Sequence, residues 1–188
     1  PYIGRQRIDK SFLYIGSIQP GKNIKGMIEG FIQFNKRFPE YNLIIVGKPT
    51  YKGEKILSEI PSNENIYYLG YQPDYVVKYL QQSCFATVLL SYCEGFGLPP
   101  LEGFKYYKPT LTSNTTSLPE ITGLAGKSVN PYDIQDIALG YNDIINNYNQ
   151  YKGHTQEQVQ KYSMKSEMKK LLTILGIQYD CYIDEKKP

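Results

Sequence analysis

The sequence predicts an α/β domain built on a doubly wound parallel sheet. Short apolar runs ending in glycine or a small polar residue recur along the chain, and stretches with helical spacing separate them. A length of 188 residues fits one domain with a short C-terminal extension. Strands and helices that alternate through short connections imply a parallel sheet covered by helices on both faces. The right-handed crossover rule then makes the sheet doubly wound.

The first strand is Ser11-Phe12-Leu13-Tyr14-Ile15-Gly16, an apolar run that stops at glycine as a buried parallel strand does on meeting its loop. After Gln19-Pro20-Gly21-Lys22, Asn23 is placed to cap a helix whose buried face is Ile24, Met27, Ile28, Phe31 and Ile32. Phe38-Pro39 closes that helix, because proline cannot continue it. Asn42 to Gly47 forms the second strand, with a helix around Glu54 to Ile60. Asn65 to Gly70 forms the third, with a helix from Asp74 to Gln82. Phe85 to Leu90 is the fourth, followed by a loop and a helix starting near Pro99-Pro100. Lys108 to Ser113 is the fifth, a short strand lies near Ser128-Val129, and a helix near Ile134 to Asn147 completes the core, residues 1–150. The remainder, 151–188, reads as a tail helix from about Thr155 to Leu175 with an apolar stripe of Val159, Tyr162, Met168, Leu171, Leu172 and Leu175. Gly176 stops it, and a frayed end follows.

Composition narrows the chemistry. A domain this long buries roughly 70% of its unfolded surface and needs no disulfide or metal to hold together. The net charge of +3 is small, and Lys and Arg are scattered, which argues against nucleic acid as the partner. Cys84, Cys93 and Cys181 have no metal-ligand spacing, and with a single histidine a zinc site is not expected. They read as free thiols of a reducing, cytoplasmic compartment. Cys93 has no histidine nearby to activate it and is expected to pack. No apolar run reaches the roughly 18 residues that a membrane span demands.

In doubly wound sheets ligands bind beyond the carboxyl ends of the strands, so the loops after Gly16, Gly47, Gly70, Leu90 and Ser113 share one rim. The richest of them is Ser91-Tyr92-Cys93-Glu94-Gly95-Phe96-Gly97-Leu98-Pro99-Pro100-Leu101-Glu102-Gly103. Its glycines let backbone approach a ligand closely, and the helix start offers unpaired N–H groups and partial positive charge. Together they suit an anion, most simply a phosphate. Glu94 and Glu102, separated by seven residues, are expected over the same rim. A carboxylate is suited to accept hydrogen bonds from sugar hydroxyls. A dehydrogenase is disfavoured, because the first strand leads into Gly-Ser-Ile-Gln-Pro-Gly and not Gly-x-Gly-x-x-Gly.

Glu94-x7-Glu102 around Gly-Phe-Gly-Leu-Pro resembles the Glu-x7-Glu motif of retaining GT-B glycosyltransferases, above all family four, the group 1 glycosyl transferases. Phe12 to Asn23, Asn42 to Gly47, Ile66 to Tyr71 and Ser117-Leu118-Pro119-Glu120 match the family's first three strands and its Pro-Glu turn in order. The resemblance implies the C-terminal, Rossmann-like half of a GT-B fold, which binds a nucleotide-diphosphate sugar such as a UDP-, GDP- or ADP-sugar. It places Glu94 against the donor sugar and Glu102 on the ribose. The backbone of Gly95, Phe96, Gly97 and Leu98 falls on the diphosphate, together with the Gly16-Ser17 loop. Lys22 neutralises the leaving group, and the Tyr71-Gln72-Pro73 loop borders the base. The implied transfer retains the anomeric configuration and needs no cofactor or bound metal.

Ser17 and Gly21 stand where many family members carry cations, which leaves neutralisation to Lys22 and Lys25. The family's acceptor-binding N-terminal domain is expected on a partner or on another part of a longer enzyme, so the acceptor is not named. Membrane contact, where the family has it, usually lies on that other half. The alternative is a non-catalytic nucleotide-sugar-binding or assembly module that has kept the fold.

Overall fold

Strands in the middle of a parallel sheet are covered on both sides, so their side chains are apolar without alternation. Phe12, Leu13 and Tyr14 are buried together in the first long strand, and Leu43, Ile44, Ile45 and Val46 in the second. The computed structural model describes residues 2–3, 6–61 and 63–163. It begins with a short antiparallel hairpin, β1 (Tyr2–Ile3) and β2 (Gln6–Arg7), which the sequence did not signal. The alternating body follows as β3 (Ser11–Ile15), α1 (Ile24–Asn35), β4 (Asn42–Val46), α2 (Tyr51–Ser58), β5 (Ile66–Tyr68), α3 (Asp74–Ser83), β6 (Ala86–Leu89), α4 (Leu98–Phe104), β7 (Thr110–Ser113), α5 (Leu118–Thr122), β8 (Gly126–Val129), α6 (Ile134–Asn146) and α7 (Tyr148–Lys161).

Six strands pair in parallel in the order β5-β4-β3-β6-β7-β8. The chain winds outward from β3 in one direction and from β6 in the other. Between these two neighbours lies the switch point, where the loops part and open a crevice beyond the carboxyl ends. This is the doubly wound sheet expected from the alternation.

The core is sealed at the opposite, amino end by aromatic rings. Phe12 packs edge-on against Phe34, Phe85 and Tyr141, with ring centroids 5.7, 5.8 and 4.8 Å away. Tyr41 joins them, and Phe85 stacks on Tyr148 at 4.4 Å. Such edge-to-face groupings add to the area each ring buries.

Three boundaries differ from expectation. Helix α2 starts at Tyr51, where Thr50 O accepts from Gly53 N–H (2.7 Å) and Glu54 N–H (3.2 Å), and Gly53 lies against Ile18, whose oxygen a Cβ would approach to 1.9 Å. The Pro-Glu turn is a one-turn helix, α5, with Pro119 in its first turn. The tail helix starts at Tyr148, directly after a break at Asn147, and its described part docks through polar side chains. Gln158 Nε2 donates to the carbonyls of Glu120 (3.2 Å) and Ile121 (2.8 Å), and Gln156 Nε2 to that of Phe104 (2.7 Å). These carbonyls belong to the ends of α5 and α4, which have no partner within their own helices. Val159 and Tyr162 pack beside Leu101, Phe104, Ile121 and Ala125, while Met168, Leu171, Leu172, Leu175 and Gly176 lie outside the described residues.

Candidate functional site

The rim begins with three strand ends held side by side. Gly16 N–H donates to Val46 O at 3.0 Å, and Gly47 N–H donates to Gly70 O at 2.9 Å. A Cβ on Gly47 would sit 1.8 Å from the carbonyl oxygen of Gly16, so nothing larger than glycine fits there. Ile18 N–H then donates to Lys48 O (2.9 Å) and Thr50 N–H to Ile18 O (3.0 Å), which zips the β3–α1 loop to the β4–α2 loop. Below, the buried Tyr14 hydroxyl donates to Ser17 O at 2.9 Å. Burial, reinforced by the charge of Glu94, raises its pKa and keeps it a neutral donor.

The chain then makes a 3-10 turn over Pro20–Lys22, and Asn23 adopts a left-handed conformation (φ 51°, ψ 41°). As expected, Asn23 caps α1, accepting from Gly26 N–H at 3.2 Å. It also accepts from the Tyr92 hydroxyl (2.7 Å) and donates to Pro131 O (2.8 Å), while Tyr92 N–H donates to Gly21 O (3.0 Å). Tyr92 stacks on Tyr132 at 4.8 Å. The β3–α1 and β6–α4 loops are therefore joined across the switch point.

At that junction Lys22 Nζ lies 2.6 Å from Glu94 Oε1, and both side chains are largely buried. Ser91 Oγ donates to the same oxygen at 2.6 Å. The loop after β7 grips the backbone of Glu94: its N–H donates to Thr116 Oγ1 (3.1 Å), and the single Ser117 Oγ proton is shared between Phe96 O (3.0 Å) and Glu94 O (3.3 Å). Gly97, at φ 94°, turns the chain into α4, and a Cβ there would meet Leu118 at 2.7 Å. Gly95, Phe96 and Leu98 are exposed around that turn, so this stretch of backbone borders open space.

Glu102 is placed otherwise. It lies on α4 and accepts from Gln81 Nε2 of α3 at 3.1 Å. It also borders a hollow of about 360 Å³ lined in part by Phe96, Leu98, Lys105 and Tyr162. The described contacts of Glu94 and Glu102 have no partner in common. Tyr71 and Gln72 stand at the far edge of the rim. Lys48 Nζ lies 4.5 Å from the centre of the exposed Tyr71 ring, and Gln72 Nε2 donates to Leu69 O at 2.6 Å.

The structure thus brings Lys22 and Glu94 into contact and lines Gly16, Ser17, Gly95, Phe96, Gly97 and Leu98 along the same rim. Cys93, expected to pack, is exposed, because the loop turns Glu94 inward next to it. Cys84 is buried, and desolvation pushes its thiol up to about 12. Sequence reasoning missed Ser91, Thr116 and Ser117. Ser91 and the Ser113–Ser117 stretch follow buried strands, and that position was the available signal. Among the described residues no group of His, Cys, Asp or Glu side chains is arranged as metal ligands.

A doubly wound sheet whose switch point carries a glycine-rich loop, a lysine and a carboxylate defines a Rossmann-like domain of the GT-B type. The chain belongs to the glycosyl transferases group 1 family, whose model matches residues 4–166. It is 38% identical over 133 residues to O-antigen chain mannosyltransferase B of Escherichia coli, across 67% of this chain and 34% of that protein. It is 32% identical over 164 residues to the serotype-specific mannosyltransferase WbdA of Escherichia coli, across 82% of this chain and 20% of that one. The chain therefore spans about a third and a fifth of these relatives. In fold it is similar to Anabaena Alr3699/HepE, solved in complex with UDP and glucose (TM-score 0.75, 17% identity, 90% of this chain and 48% of that one). No helix among the described residues is long and apolar enough to cross a membrane.

Proposed function

We propose that this chain is the donor-binding half of a retaining glycosyltransferase, taking a nucleotide-diphosphate sugar and presenting it to an acceptor held by another domain. The observation that carries this reading is the meeting of Lys22 and Glu94, 72 residues apart in sequence, at the switch point beside the Gly95–Leu98 turn. An anion approaching that turn meets the backbone N–H groups of Phe96, Gly97 and Leu98, ahead of Pro99 and Pro100, which have none, and the Lys22 ammonium within reach. A diphosphate supplies the charge that draws Lys22 away from Glu94. The glutamate is then free to accept from donor-sugar hydroxyls, and Lys22 stabilises charge where it develops on the leaving diphosphate. Glu102 takes the ribose diol from within α4 itself, and Tyr71 and Gln72 border the base. No metal is needed in this scheme, since Lys22 and the backbone dipoles carry the neutralisation. The mannosyltransferase relatives make an activated mannose the first donor to try, in a cytoplasmic setting with reduced thiols.

Calorimetric titration with UDP, GDP, ADP and their sugar conjugates, with Glu102→Ala alongside, tests the proposal. One nucleotide is expected to bind, and the variant to lose roughly 1–3 kcal/mol of that affinity, the scale of charge-assisted hydrogen bonds. If none of the nucleotides binds, the donor-binding reading fails and the chain is a module that has kept only the fold.

A further inference from the structure

Glu94 presents an apparent difficulty. One carboxylate oxygen is shared by Lys22 and Ser91, and the proposed chemistry asks Lys22 to leave it for a diphosphate. A glutamate that lost its only partner would swing through several rotamers, at a cost in side-chain entropy each time it met a sugar. Ser91 removes the difficulty. Its hydroxyl lies 2.6 Å from Glu94 Oε1, and the residue is fully buried, so no ligand in the crevice displaces it.

Ser91 is itself held from behind. It sits at the carboxyl end of β6, and its carbonyl accepts from Thr115 Oγ1 at 3.2 Å and from Ser113 Oγ. Thr115 Oγ1 also lies 3.2 Å from Ser113 Oγ, so its single proton is shared between Ser91 O and Ser113 Oγ. The backbone of Glu94 is fixed from the same loop by Thr116 and Ser117. Carboxylate and main chain are thus both tied to β6 and the β7–α5 loop, while Lys22 arrives from the other side of the switch point.

We infer that Ser91 is the positioning residue that keeps the Glu94 carboxylate aimed at the donor sugar once Lys22 has been taken by the diphosphate. This inference rests on the donor-binding reading above. Its consequence is selective: the serine matters to the sugar and not to the phosphates. Removing its hydroxyl leaves the glycine turn, Lys22 and Glu102 untouched, so a free nucleoside diphosphate binds as before. What falls is the extra affinity of the sugar conjugate over the free nucleotide.

The test measures that ratio by calorimetry for the unaltered chain, Glu94→Ala and Ser91→Ala, using the nucleotide that binds and its sugar conjugate. Ser91→Ala is expected to lower the ratio roughly tenfold, towards its value in Glu94→Ala, with affinity for the free nucleotide unchanged. Should Ser91→Ala fail to fold, as judged by its thermal melt, Ser91→Cys keeps the volume, gives up the strong donor and carries the same comparison. An unchanged ratio, or an equal loss for both ligands, overturns the role of Ser91 while leaving donor binding standing. Absence of nucleotide binding by the unaltered chain overturns donor binding and this assignment together.

Discussion

The two ends of the sheet are built from different materials. At the amino end, Phe12, Phe34, Tyr41, Phe85 and Tyr141 interlock in a dry aromatic cluster. At the carboxyl end, glycines, hydroxyls and the Lys22–Glu94 pair line an open rim. Burial of large rings is worth several kcal/mol apiece, whereas part-exposed polar contacts gain little over the same groups in water. Stability is therefore concentrated at the end away from the proposed donor site. The rim is made of contacts that a ligand can exchange for its own, which is what binding by loops on a rigid scaffold requires.

The contrast is sharpest in stability measurements. Phe12→Ala is expected to cost about 3–5 kcal/mol in urea unfolding, the range for emptying a buried aromatic site. A loss under about 1 kcal/mol would mean that the aromatic end is not the anchor. Gly47→Ala is the one rim change expected to come close, on the order of 3 kcal/mol, because its methyl would collide with the Gly16 carbonyl and the residue holds φ 149°. The rim glycine is thus fixed by the close approach of the neighbouring backbone and not by its polar contacts. Lys22→Ala should have the smallest effect on folding, about 1–2 kcal/mol, since it strips the largely buried Glu94 of its cation while Ser91 still donates to it. The same variant should weaken nucleoside diphosphate binding, and a thermal melt and a titration on one sample separate the two effects.

The sequence shows the amino end and the rim unequally. Phe12, Leu43 and their neighbours were legible because strands buried on both faces read as unbroken apolar runs, and α1 because its apolar face repeats at helical spacing. The rim glycines and Glu94 were legible through their spacing, whereas the rim expected to be shared by Glu94 and Glu102 was not, since Glu102 turns to Gln81 of α3. The β1–β2 hairpin was not, being too short to show a period. The start of α7 was displaced because its first turns, Tyr148 to His154, are polar apart from two tyrosines and include Gly153, so they show no apolar stripe. Ser91, Thr116 and Ser117 lay in rim loops, but their contacts with Glu94 were not legible. Serine and threonine are common in any loop, and only the pairing of β6 with β7 brings these hydroxyls to Glu94.

Amide chemical-shift mapping with the tightest-binding nucleoside diphosphate tests most directly whether the rim is the donor site. The largest shifts are expected at Gly21, Lys22, Phe96, Gly97 and Leu98, with smaller ones at Tyr71 and Gln72. The amides of Phe12, Phe34 and Tyr41 should stay in place. Shifts that gather at the aromatic end, or a rim that stays silent at saturating ligand, would contradict it.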